Sequence, residues 1–148
     1  MLIEELLADL IRDEGQFKNS KGNHAVYKCP AGYWTIGYGI EVEQQGLSDD
    51  EARMLLRSRV LTVIDEVNKN LSWLITQPEP IRRVIYNMAY NLGMPRLKGF
   101  KNMLDALEKK DYKKAAIEAK DSLWYRQTKT RAERLVSIID ETDSKYFT

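Results

Sequence analysis

The chain has 148 residues, of which 43% are hydrophobic and 30% are charged, and its formal net charge is +1. These proportions are typical of a soluble globular protein with one domain or two small lobes that share a core. No apolar run approaches the roughly 20 residues that span a bilayer, which excludes stable membrane insertion, and a single cysteine excludes an internal disulfide.

Charge is spread unevenly along the chain. Residues 1–79 hold 8 Lys/Arg and 13 Asp/Glu, a balance of −5, whereas residues 80–148 hold 15 and 9, a balance of +6. Either both surfaces are simply solvated, or the basic half faces an anionic polymer. Acidic residues follow Met1, where a secretion signal would carry positive charge, so we expect no export by that route.

The first half of the chain predicts a helix, a sheet and a second helix. Apolar residues at helical spacing predict a helix at 2–13, ended by Gly15. Residues 15–46 are rich in glycine and in β-prone residues, which predicts a small antiparallel sheet of three short strands. Tyr33, Trp34 and Tyr38 are expected in the sheet core or in lobe packing, and not as platforms for sugars. Ser48 begins a capping box, which predicts a connecting helix at 48–71.

The second half predicts a helical lobe at 80–148. Apolar residues recur at intervals of three and four from Ile81 to Leu92, and this helix is expected to form the centre of the core. Two short helices at 100–108 and 112–119 and a final helix from about 130 follow. The predicted fold class is therefore α+β: one domain, 1–148, with a small antiparallel sheet and a helical bundle joined by a long helix.

The stretch from Glu14 to Gly39 concentrates the residues suited to chemistry. It contains five of the eight glycines, which favour sharp turns and close approach of a ligand. A Glu in a partly desolvated site suits the general acid that protonates the leaving oxygen of a glycosidic bond. Thr35 could hold the attacking water, and Cys29 could act as a thiol or a thiolate. An inert buried cysteine and a strand threonine are the alternatives.

Other chemistries have less support in the sequence. His24 precedes Cys29 by five residues, so a Cys–His nucleophile pair is conceivable. The chain shows no Cys/His metal spacing, no phosphate-binding loop and no dinucleotide fingerprint, and we expect neither a metal nor a cofactor.

Five blocks of residues resemble one known family, the phage-type lysozymes of glycoside hydrolase family 24, or endolysins. The resemblance extends over most of the chain and rests on Ile11-Arg-Asp-Glu14-Gly15, Tyr27-Lys-Cys29 with Gly32-Tyr-Trp-Thr35-Ile-Gly37-Tyr-Gly39, Asn87-Met-Ala-Tyr90-Asn-Leu-Gly93, Gly99-Phe100 with Asn102, and Ser122-Leu-Trp124-Tyr125 with Gln127-Thr128 and Arg131-Ala132. It implies a two-lobe lysozyme-like fold. It also implies hydrolysis of the β-1,4 bond between N-acetylmuramic acid and N-acetylglucosamine in bacterial peptidoglycan.

Site residues carry over by position. The resemblance implies that Glu14 is the general acid, that Thr35 lies beside the attacking water, and that Cys29 replaces the family's catalytic aspartate. Water attack would invert the anomeric configuration, whereas a Cys29 nucleophile would retain it. Fourteen residues separate Glu14 from Cys29, where the family usually has eight, so residues 17–24 are expected to form an inserted loop.

The resemblance also implies a substrate cleft. Tyr90 matches an aromatic cleft residue, and Arg131 matches a residue that supports the site beside the acid. Glu41, Met103 and Glu118 fall at other substrate-binding positions but differ from the family in residue type.

The family's biology implies a bacteriolytic phage enzyme for host cell lysis. Such an enzyme is a monomer in the host cytoplasm that reaches the wall after a holin permeabilises the membrane, and it binds no nucleic acid. Two other classes stay open: a catalytically weak peptidoglycan-binding module, because the aspartate is missing, and a lytic transglycosylase that forms an anhydro-sugar. DNA binding through the basic half is a third, weaker alternative, with steep salt dependence as its sign.

Overall fold

A computed structural model describes residues 1–146, with side chains for residues 1–142. Within these residues the chain forms eight α-helices and three β-strands. The helices are α1 Leu2–Asp13, α2 Asp49–Asn70, α3 Glu79–Leu92, α4 Met94–Lys98, α5 Lys101–Glu108, α6 Tyr112–Lys120, α7 Leu123–Thr128 and α8 Thr130–Tyr146. The strands are β1 Tyr27–Lys28, β2 Trp34–Ile36 and β3 Ile40–Glu41. The α+β class is confirmed; residues 147–148 of the predicted helical lobe lie outside the described residues.

The three strands form one antiparallel sheet in the order β1-β2-β3, as the glycine-bracketed β-prone residues predict. Tyr27 pairs with Thr35, and Thr35 pairs in turn with Glu41. Because directly opposed residues point to the same face of a sheet, these three side chains share one face. The pair Lys28 and Trp34 belongs to the other face, where the Lys28 ammonium lies 5.1 Å from the Trp34 ring centre.

The aromatic residues do not fill the sheet core, while their role in lobe packing remains a prediction. Tyr33, Trp34 and Tyr38 are all exposed, and Thr35 is the buried residue of β2. Strands of two or three residues are too short to cover rings of this size.

The predicted capping box starts α2. The Ser48 amide donates to the Glu51 carboxylate at 2.9 Å, and the Glu51 amide donates to the Ser48 hydroxyl at 3.1 Å. Two otherwise unpaired helix-end groups are thereby satisfied. The chain divides into two compact units, Met1–Leu55 and Leu56–Thr148, so the boundary falls inside this helix. The lobe boundaries inferred from the sequence remain a prediction.

The apolar core belongs to the second unit and begins at Val67. As predicted, α3 lies at its centre, with side chains from Ile81 to Met88 that are fully buried. One polar pair is built into this core: the Tyr112 hydroxyl donates to the Gln77 side-chain carbonyl at 2.7 Å. The Gln77 amide group donates in turn to the Leu107 carbonyl at 2.9 Å, so both side chains are satisfied despite burial.

The sequence analysis missed three short helical segments. They are a 3₁₀ turn at Ser72–Thr76 and the helices α4 and α7. Pro95 marks the end of α3 in the sequence, but it stands in the first turn of α4, where its missing N–H has no helical partner to lose. In α1 the periodic apolar residues form a stripe, yet none of them is buried.

Candidate active site

Glu14 lies directly after α1 and rests on the turn between β2 and β3. Its amide donates to the Leu10 carbonyl at 2.8 Å, and its backbone then becomes extended. The carboxyl group packs on Gly39, where an added Cβ would lie 2.5 Å from Glu14 Oε2 and 2.8 Å from Cδ. Gly39 also has φ of +75°, so two independent constraints require glycine at this position.

A tyrosine hydroxyl holds the backbone just after the acid. Tyr27 Oη donates to the Gly15 carbonyl oxygen at 2.7 Å, a contact between residues twelve apart in the chain. Tyr27 belongs to β1, which pairs with β2 at Thr35. The end of α1 is therefore hydrogen-bonded to the strand that leads to Cys29.

The predicted inserted loop is an ordered hairpin, residues 17–25, which we call the insert hairpin. Its base closes through the Ala25 amide, which donates to the Phe17 carbonyl at 2.9 Å. At its tip the Asn19 side-chain oxygen accepts from two backbone amides. The His24 ring meets the Tyr38 ring edge-on, with centroids 4.7 Å apart, which places the hairpin beside the turn that carries Gly39.

Cys29 begins a tight turn that points amides at its own sulfur. Its amide donates to the Tyr33 carbonyl at 3.0 Å, and the Gly32 amide donates back to the Cys29 carbonyl at 2.8 Å. The Tyr33 amide, assisted by the Ala31 amide, the Thr35 hydroxyl and the Gly32 amide, holds the pKa of the Cys29 thiol below its usual value, against a smaller desolvation effect that raises it.

Thr35 is the buried member of the cluster. Its hydroxyl donates to the Tyr33 carbonyl at 2.9 Å, while contact with Cys29 also lowers the thiol pKa. A hydroxyl has one proton, so donation to the Tyr33 carbonyl and donation to the Cys29 sulfur are alternatives. With the proton on Tyr33, the oxygen lone pairs are available to accept a hydrogen bond.

The first unit thus brings Cys29 and Thr35 together and fixes Glu14 against Gly39. Glu41 shares the sheet face of Thr35, but its two carboxylate oxygens accept from the Gln44 and Gln45 amides at 2.9 and 3.0 Å. Its first role is therefore to hold the turn after β3.

The remaining predicted residues belong to the second unit. Tyr90 is exposed and Arg131 is half-buried, and both line a cavity of about 490 Å³ whose other walls are mainly apolar. The Arg131 Nε donates to the Asn87 side-chain oxygen at 2.9 Å, which fixes the guanidinium. Met103 and Glu118 line a separate cavity of about 510 Å³, although Met103 is only 1% exposed.

Two site features were missed by the sequence analysis. Gly39 was identified as a turn glycine, and only the coordinates show that the acid lies on it. Tyr27 was treated as a strand residue within the motif, and nothing in its spacing indicates a bond to Gly15.

Among residues 1–142, whose side chains are described, no group of three or more His, Cys, Asp and Glu side chains could hold a metal ion. None of the helices within residues 1–146 is long and apolar enough to cross a membrane.

Comparison with known proteins identifies relatives for most of the chain. A probable T4-type lysozyme from Dictyostelium discoideum is 34% identical over 111 residues, and the match covers 71% of this chain and 65% of that protein. A second probable T4-type lysozyme of the same organism is 27% identical over 129 residues, covering 83% and 74%. The pre-baseplate central spike protein of Enterobacteria phage T4 is 32% identical over 96 residues, which is 65% of this chain and 15% of the spike protein.

The chain therefore spans just under two thirds of the first of these relatives. Residues 18–137 match the phage lysozyme family. This range includes Cys29, Thr35 and the second-unit positions, and it begins four residues after Glu14. Together with the small antiparallel sheet that carries Cys29 and Thr35, the match shows that the chain belongs to the phage lysozyme family.

Proposed function

We propose that this protein is a lysozyme of the endolysin type, in glycoside hydrolase family 24. Its reaction would be hydrolysis of the β-1,4 bond between N-acetylmuramic acid and N-acetylglucosamine in bacterial peptidoglycan. The observation that carries the proposal is the Glu14 carboxyl held on Gly39 in the same unit as the Cys29–Thr35 pair. Family membership and the names of two relatives as probable T4-type lysozymes support it.

Glu14 acts as the general acid in this proposal. Its side chain is exposed, so a glycan can reach it, while Gly39 limits where the carboxyl can lie. Proton transfer from Glu14 to the glycosidic oxygen would release the leaving sugar as an alcohol and build positive charge on the anomeric carbon.

Thr35 and Cys29 act on the opposite side of the scissile bond. The Thr35 oxygen can accept a hydrogen bond from water because its own proton is donated to Tyr33. Attack by that water, with its proton passing to the Cys29 thiolate, would invert the anomeric centre. The amides around Cys29 favour its thiolate, which could instead form a glycosyl–sulfur bond that water later hydrolyses with retention.

The second unit supplies further substrate contacts. Tyr90 offers an exposed ring beside Arg131, and Glu118 lies in the second cavity, where carboxylate oxygens can accept from sugar hydroxyl and N-acetyl groups. Met103 would contribute packing because it has almost no free surface, and Glu41 would act by shaping the turn. The positive balance of residues 80–148 suits an anionic wall polymer.

The test is digestion of purified peptidoglycan with mass spectrometry of the products, and Glu14→Gln in parallel. Muramic acid at the reducing end, absent from the variant digest, is the expected result. Products lighter by one water would assign a lytic transglycosylase instead. Intact glycan that is retained by the wild-type protein would assign a binding module and overturn the enzyme proposal.

The anomer formed first separates the two hydrolytic routes. Proton NMR of a fresh digest should show the α-anomer for direct water attack and the β-anomer for a Cys29 nucleophile. Cys29→Asp is expected to retain hydrolysis, because a carboxylate can orient or deprotonate the water, whereas Cys29→Ala loses both routes.

We extend the proposal to phage release. A monomeric enzyme would accumulate in the host cytoplasm and reach the wall once a holin opens the membrane. The resemblance to endolysins supports this setting. Bacteria that express the protein should then lyse only after the membrane is permeabilised, and lysis without permeabilisation would contradict dependence on a holin.

A further inference from the structure

The insert hairpin lies between Glu14 and Cys29, so the fold must keep these two side chains together across it. Fourteen residues separate Glu14 from Cys29, and a flexible segment of that length would leave the two side chains free to separate. The Ala25–Phe17 hydrogen bond closes the hairpin at its base. The backbone therefore enters and leaves the hairpin at neighbouring positions, so the hairpin does not change the distance between its two ends.

Below the hairpin a side-chain hydrogen bond joins the two ends. The Tyr27 hydroxyl donates to the Gly15 carbonyl at 2.7 Å. The Tyr27 Oη atom lies 3.6 Å from where a Gly15 Cβ would stand, which is ordinary contact, so the ring lies against this peptide without crowding.

We propose that Tyr27 is the positioning residue for the Glu14 carboxyl. This inference rests on the proposed function, because it assigns to Tyr27 the placement of the proposed acid. Glycine has more backbone freedom than any other residue, so the peptide after Glu14 would otherwise rotate easily. The hydroxyl removes that freedom on the C-terminal side of Glu14, while the Leu10 carbonyl holds the N-terminal side.

The same contact relates the acid to its partners. Tyr27 is opposite Thr35 in the sheet and two residues before Cys29. One hydrogen bond thereby joins the end of α1 to the strand pair that carries the thiol and the hydroxyl. The placement of Glu14 is set by Tyr27 and not by the number of residues in the hairpin.

The first experiment compares Tyr27→Phe with the matched control Tyr38→Phe. Tyr38 is an exposed tyrosine in the turn between β2 and β3, and its hydroxyl has no hydrogen-bond partner among the described residues. Because a misplacement of about 1 Å can cost roughly 10²-fold in rate, we expect Tyr27→Phe to lower kcat at least about tenfold with KM unchanged. Tyr38→Phe should retain the wild-type kcat and KM.

Substrate affinity separates positioning from general damage. Glu14→Gln and Glu14→Gln/Tyr27→Phe should bind a chitooligosaccharide with the same Kd in calorimetry, because Tyr27 acts through the acid. Weaker binding by the double variant would assign Tyr27 a structural role in the cleft and overturn the proposal.

A hairpin truncation tests the independence from length. Replacing residues 18–24 with Asn-Gly should leave kcat within about threefold of wild type while Tyr27 is present. In the Tyr27→Phe background the same truncation should lower kcat well below the value of Tyr27→Phe alone. A much larger loss of kcat on truncation while Tyr27 is present would show that the hairpin, and not Tyr27, sets the position of Glu14.

An NMR measurement makes the outcome independent of turnover. The Gly39 amide resonance reports the carboxyl that lies on it, so Glu14→Gln should shift this resonance. Tyr27→Phe should shift both the Gly39 amide resonance and the side-chain carboxyl resonance of Glu14. Tyr38→Phe should leave the Glu14 carboxyl resonance in place. If the Glu14 carboxyl resonance is unchanged in Tyr27→Phe, positioning is refuted even if the protein cleaves glycan; if it shifts but no wild-type cleavage occurs, only the proposed function fails.

Discussion

The substitution Gly39→Ala should show how the position of the Glu14 carboxyl affects kcat, separately from how the turn affects stability. At this residue φ is +75° and an added Cβ would lie 2.5 Å from Glu14 Oε2. Ordinary van der Waals contact begins near 3.4 Å, so the carboxyl must retreat by about 0.9 Å. A shift of about 1 Å in a reacting group is expected to lower kcat roughly 10²-fold.

Gly37→Ala is the matched control for this substitution. Gly37 lies in the same turn with φ of +65°, but a Cβ there meets only Ile40 Cδ1 at 3.6 Å. Both variants should lose about 1–2 kcal/mol of unfolding free energy from the left-handed backbone. For a chain of this size each kcal/mol lowers Tm by roughly 2–4 °C.

The assay is the release of soluble muropeptides from purified peptidoglycan, with urea unfolding of the same preparations. We expect similar losses of unfolding free energy in both variants and a loss of kcat that is much larger for Gly39→Ala. Equal kcat in the two variants would refute the placement of the acid on Gly39, because the control has the backbone strain without the collision.

Three further predictions concern the thiol and the helical core. The ultraviolet thiolate absorbance of Cys29 should appear at a lower pH than for an ordinary thiol, because the Tyr33 amide lowers the pKa of the Cys29 thiol. The stability that the thiolate adds to the folded protein is present above the unfolded-state pKa and is lost as pH falls through the folded-state pKa. A midpoint at or above the ordinary value would contradict the turn geometry. Tyr112→Phe should cost about 1–3 kcal/mol of unfolding free energy with kcat unchanged, because the buried Gln77 carbonyl loses its donor; urea unfolding would show no change if Gln77 is not buried as described. Asp111→Ala should cost about 0.5–2 kcal/mol, since its carboxylate caps α6 at the Lys114 amide, whereas Asp111→Asn should retain most of it.

Local signals in the sequence predicted the elements well. Ser48 and Glu51 specify the start of α2 by a contact that spans three residues. The periodicity from Ile81 onward reports burial on one face, so the central helix of the core could be identified without coordinates. The missed segments α4 and α7 have five and six residues, too few for a helical period to appear.

The candidate site was predicted by residue type but not by contact. Glu14, Cys29 and Thr35 stand out because acids, thiols and hydroxyls do chemistry and because the flanking motif resembles a family. The contact of Glu14 with Gly39 joins residues 25 apart through a turn whose geometry depends on positive φ. For Glu41, residue type predicts substrate binding but gives no sign that the carboxylate also accepts hydrogen bonds from two amides of its own turn.

The absence of buried apolar residues in the first unit has a consequence for heat inactivation. Among residues 1–55, Thr35 is the single buried side chain, whereas the apolar core begins at Val67. Segments with few buried apolar contacts open locally at low free energy, well before the core does. Native-state hydrogen exchange should therefore be fast in the sheet and slow in α3. Reversible loss of activity on warming should then precede the main calorimetric transition, which reports the helical core.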